Sequence, residues 1–83
     1  MNQLHPVHLF EARAAILDRF RILNTAPEGT VNVHVFENEY ARFTNGYFKA
    51  ALLQLDEDKR VEILMSGRFV RLLTAGYEEA HAM

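Results

Sequence analysis

The hydrophobic period of this chain changes once, and that change limits the folds open to it. Across residues 6–23, Leu9, Ala12, Ile16, Phe20 and Leu23 recur at helical spacing, and Phe10 and Leu17 widen the same stripe. Pro6 suits a first helical position, because its φ is already helical and its missing N–H would have no partner there. Pro27 and Gly29 then act as breakers, so the helix should end near Asn24. Beyond Gly29, Val31, Val33 and Val35 alternate with Asn32, His34 and Phe36, the period-two pattern of a strand rich in β-branched residues. With 83 residues, the chain has room for a single domain over 1–83.

Three turn signals extend the strand pattern. Asn45-Gly46 fits a type I′ hairpin, which needs positive φ at both central residues, and would set Phe43 opposite Phe48 and Arg42 opposite Lys49. A turn through 56–59 would pair Leu52 with Ile63. A turn at Ser66-Gly67 would pair Leu64 with Phe69, Ile63 with Val70 and Glu62 with Arg71. These registers gather Ala41, Phe43, Phe48, Ala50, Leu52, Val61, Ile63, Met65, Val70 and Leu72 on one face. The expected fold is α+β: one N-terminal helix packed on a four- or five-stranded antiparallel sheet. The alternative is a mixed chain with extra helices at about 47–56 and 67–80. There Phe48, Ala51, Leu52 and Leu55, and then Phe69, Leu72, Leu73, Tyr77 and Ala80, also follow helical spacing.

Chemistry-bearing constellations are sparse. The chain has no Cys, which excludes disulfides, thiolate zinc sites and cysteine nucleophiles. Ser66 is the only serine and lies in a proposed turn without a nucleophile-elbow pattern. Asp56, Glu57 and Asp58 read as a wet hairpin tip, where no burial raises a carboxyl pKa for acid–base work. His5 and His8 have a chelating spacing but no third ligand. No catalytic residue, metal or cofactor is therefore assigned. No apolar run approaches the ~20 residues of a membrane span, and the N-terminus lacks a signal-peptide pattern, so a cytoplasmic protein is expected.

Binding surfaces are the remaining prospect. In the meander, Leu53, Leu55, Leu64, Phe69 and Leu73 surround Glu62 and Arg71 on the face away from the helix. Either residues 74–83 cover that face through Tyr77, or it is an interface with a second copy, as in a homodimer, or with another protein. Tyr40, Arg42, Tyr47 and Lys49 form a smaller basic and aromatic group suited to nucleic acid, but a formal net charge of -2 gives it a weak electrostatic footprint. Arg13 stands out because helical spacing turns it into the apolar stripe, where a carboxylate from the sheet or a second subunit would answer it. The expected function is a small non-enzymatic protein-binding module, an inhibitor or adaptor acting stoichiometrically on a larger assembly. Phage or mobile-element proteins that block bacterial machinery are one instance of that class. The alternative is a small nucleic-acid-binding regulator, with either the Tyr47/Lys49 face or a helix-turn-helix-like arrangement near 47–80.

Overall fold

The computed structural model describes residues 4–82. Helix α1 spans Pro6–Ile22, as the stripe predicts. Pro6 opens it, and the His5 imidazole caps it by accepting the Val7 N–H at 3.2 Å. Asn24, at φ 56°, closes it by bending the chain back, so that the Thr25 N–H donates to the Phe20 carbonyl and the Asn24 N–H to that of Arg21. Asp18 and Arg21, three residues apart, pair on its surface.

Among the described residues, the expected four or five strands give way to three. Strand β1 (Thr30–Asn32) is short because the Asn32 side chain accepts the His34 N–H at 2.9 Å and starts a 3-10 turn over Val33–Phe36. Helix α2 (Glu37–Arg42) follows, with acidic residues in its first turn and Arg42 in its last, the order that suits the helix dipole. Asn45 and Gly46 do take positive φ, 60° and 86°, and the Thr44 carbonyl accepts the Tyr47 N–H. That turn joins α2 to a third helix, α3 (Tyr47–Glu57), rather than two strands, so Arg42 and Lys49 never become a cross-strand pair. Phe48, Ala51, Leu52 and Leu55 are the buried stripe of α3, the helical spacing of the alternative reading.

The hairpin at Ser66-Gly67 forms in the expected register. Strands β2 (Val61–Leu64) and β3 (Phe69–Leu72) pair Glu62 with Arg71, Ile63 with Val70 and Leu64 with Phe69. Strand β1 adds to the other edge of β3, giving the antiparallel order β1-β3-β2. Helix α4 (Thr74–Ala82) begins where the Glu28 carboxylate accepts the Thr74 N–H and hydroxyl. The helix expected over 67–80 is thus replaced by a strand followed by a helix. The helix-turn-helix-like arrangement near 47–80 is absent, because a hairpin separates α3 from α4.

Helix α1 packs on both α3 and α4, and α3 packs on β2. The core is one cluster in which Ile16, Leu17 and Phe20 of α1 meet Phe36, Leu55, Val61, Val70 and Leu72. Phe36 stands edge-on to Phe20, with ring centroids 5.1 Å apart, and contacts Phe48 on its other side. Arg13 finds its carboxylates within the chain, though not on the sheet. Its guanidinium donates to Asp58 at 2.7 Å, just beyond α3, and to Glu79 of α4 at 3.2 Å. Arg60 also donates to Glu79, at 2.8 Å. The Arg13 side chain is only 14% exposed, so this pairing compensates a partly desolvated charge.

Gly76 marks the closest approach of backbones. A Cβ there would stand 2.0 Å from the Arg60 carbonyl oxygen, which belongs to rigid main chain. Gly76→Ala gains at most ~1 kcal/mol of helix propensity, whereas overpacking costs ~1–3 kcal/mol or more. Urea denaturation should therefore show net destabilisation, and equal or greater stability would refute the close approach. Arg13→Leu should cost ~1–2 kcal/mol in the same assay, since hydrogen bonds to partly buried charges exceed the worth of surface pairs. Arg21→Ala, which breaks only an exposed pair, should stay within ~0.5 kcal/mol of the parent.

Candidate functional site

The register of the hairpin brings Glu62, Leu64, Phe69 and Arg71 onto one face of the sheet, opposite the core-facing Val61, Val70 and Leu72. Arg71 donates to Glu62 at 2.9 Å across the strands. Leu64, Phe69 and Leu73 are half-buried rather than fully exposed. Helix α4 does not cover this face. It packs on α1 instead, with Tyr77 against the core and stacked on His81 at 4.3 Å. Residue 83, the end of the segment expected to cover the face, lies outside the described residues. The other two expected interface residues lie on α3. Leu55 is fully buried in the core and out of reach of a partner, whereas Leu53 is 47% exposed.

The basic and aromatic group is dispersed by the same change from strands to helices. Tyr47 turns to the start of α1, where its hydroxyl accepts the His5 N–H at 2.8 Å and its ring meets His8 edge-on. Arg42 lies over the Phe43 ring at 4.7 Å. Only Tyr40 and Lys49 share a surface, and it is largely apolar. His8 is occupied by Glu11 at 3.2 Å, and among the described residues no three His, Asp or Glu side chains cluster as a metal site.

That surface is a trough along the seam of α2 and α3. Tyr40 and Phe48 form its wall, their rings edge to face at 5.6 Å. Val33 and Phe36 close one side and Leu52 the other, around a hollow of about 300 Å³. A second hollow of about 270 Å³ continues past Tyr40 to the Thr44–Gly46 loop, and a third of about 370 Å³ continues past Leu52 to Leu53, Ile63 and Gly67. Lys49 lines all three and, among the described residues, makes no ion pair. The exposed His34 and Glu37 supply the remaining polar groups of the first hollow.

The placement of α2 depends on Arg19 of α1, which donates to Glu39 through Nε at 3.3 Å and Nη2 at 2.9 Å. That hydrogen bond, and then the charge of Glu39, raises the Arg19 pKa above its ordinary value. Glu39 is itself nearly buried, and its neighbour Tyr40 is 67% exposed, so a buried side chain precedes an exposed one. Val33, Phe36 and Glu37 escaped the sequence reading because they line a site only once the expected strand becomes a turn and a helix. The one available signal was the helical spacing of Lys49, Leu52 and Leu53. Comparison with protein-family models, curated proteins and solved structures finds no match to this chain.

Proposed function

We propose that the chain is a non-enzymatic protein-binding module that acts by stoichiometric contact, as an inhibitor or adaptor of a larger protein, and that the α2–α3 trough is its docking surface. The observation that carries this reading is the continuity of the trough. Three adjoining hollows have apolar floors, and Tyr40 and Leu53 stand 67% and 47% exposed beside them. Exposed aromatics beside apolar hollows match the anchor-and-pocket chemistry of protein interfaces. Nucleic acid is less well served, since a backbone-tracking groove needs several cations and here Lys49 is the one that lines the trough.

Selection of a displayed random-peptide library on the immobilised chain tests the reading. Peptides enriched on the parent should bind Tyr40→Asp at least ~tenfold more weakly, the loss expected when an interface anchor is removed. Tyr40 is exposed, so the variant should keep the parent's melting temperature. Failure to enrich any peptide family, or equal binding by Tyr40→Asp, would overturn the assignment.

A further inference from the structure

Resting on that reading, we infer that the occupant of the trough is an amphipathic α-helix of the partner, with its apolar stripe along Tyr40 and Leu52 and a carboxylate opposite Lys49. The first ground is backbone accounting. A peptide that docks by strand addition pairs its main chain with a free strand edge, and the trough offers almost none. The trough walls are the helices α2 and α3, which present no strand edge. In the 3-10 turn, the Val33 N–H is taken by the Arg68 carbonyl and the His34 N–H by Asn32. Where the third hollow reaches β2, the Ile63 N–H already donates to the Asp56 carboxylate at 2.9 Å. A segment entering here gains no ladder of main-chain hydrogen bonds, and a helix, whose backbone is paired internally, needs none.

Charge supplies the second ground. Lys49 lines every hollow and makes no ion pair among the described residues, and Glu37 borders only the first hollow, so the Lys49 ammonium can meet an acidic side chain at the edge of the partner's stripe. From Phe48 to Leu53 the trough follows between one and two turns of α3, a length comparable to the i to i+7 stripe of a partner helix. Apolar anchors at i, i+3 or i+4, and i+7 then meet the trough, with Asp or Glu beside them.

The test uses two displayed libraries on the intact chain, one built on a helical scaffold and one of proline-interrupted linear peptides. The helical library should yield the binders, with an apolar i, i+4, i+7 stripe and an Asp or Glu. Fluorescence anisotropy should show their Kd rising at least tenfold against Lys49→Glu. A peptide with Lys in place of that acid should recover binding to Lys49→Glu. Proline-interrupted binders that depend on Tyr40, or helical binders indifferent to Lys49→Glu, would overturn the helix inference while leaving the protein-binding module intact. The absence of any Tyr40-dependent binder would overturn both. Sedimentation equilibrium covers one remaining occupant. Self-association lost in both Tyr40→Asp and Phe10→Asp would assign the trough to α1 of a second copy, whose Val7 and Phe10 are 57% and 69% exposed, and would overturn the foreign-helix assignment.

Discussion

Helices α2, α3 and α4 all pack on α1, and α1 carries charges that its packed side must accommodate, Arg13 foremost. Ala12, Ile16, Leu17 and Phe20 are all at most 1% exposed. Arg13 sits among them with its guanidinium answered by Asp58 and Glu79, which lie 45 and 66 residues away in sequence. Such an ion pair as a whole gives little net stability against an all-apolar replacement, although removing one partner alone strands the other charge. Its effect lies in the positions it disfavours. A helix α4 displaced along α1, or an α3 that ended later, would leave the Arg13 charge without its partners. Gly76 limits the same junction by contact, since α4 comes close enough to the Arg60 carbonyl that no Cβ fits between them.

Some of this was legible in the sequence, and the failures share one cause. Helix α1 was readable because it has a single dominant period and ends at Asn24, and the β2–β3 hairpin because Ser66-Gly67 marks its turn and fixes its register. Residues 47–57 are apolar at so many positions that both periods fit them, and periodicity alone does not separate a buried strand from a buried helix. Asn45-Gly46 pointed correctly to a turn with two positive φ values. Such a turn reverses the chain without determining what it joins, and here it links two helices. At Val33–Phe36 the valine alternation was overridden by the Asn32 side chain, a local hydrogen bond stronger in effect than β propensity. Because the candidate site lies at the junction of these two misread segments, its walls were hidden even though Tyr40, Lys49 and Leu53 had each been singled out.

The acidic run 56–58 acquires a different meaning in the folded chain. As a hairpin tip it would have been mere solvated surface. In the structure Asp56 occupies the Ile63 N–H on the free edge of β2, and Asp58 holds Arg13. A three-stranded sheet exposes two edges to pairing by other chains. One is blunted by Asp56 and the other belongs to β1, which is only three residues long. The sheet therefore invites little strand addition, and its open face is partly occupied by the Arg71–Glu62 pair.

What remains available is the helical side, and there the sequence spends exposed apolar area on an immobile frame. Tyr40 projects from a helix of only six residues, too short to be stable alone. That helix is held from below by Phe36, wedged between Phe20 and Phe48, and from the side by Arg19 on Glu39. The cost of ordering α2 is thus met during folding, by contacts with α1 that precede any partner. A binding surface whose anchors are already fixed loses less entropy on docking than a loop that must order at that moment. The same α1 that sets the core consequently sets the wall of the trough. Weakening the Arg19–Glu39 pair should then reach the proposed docking surface without touching a single residue that lines it.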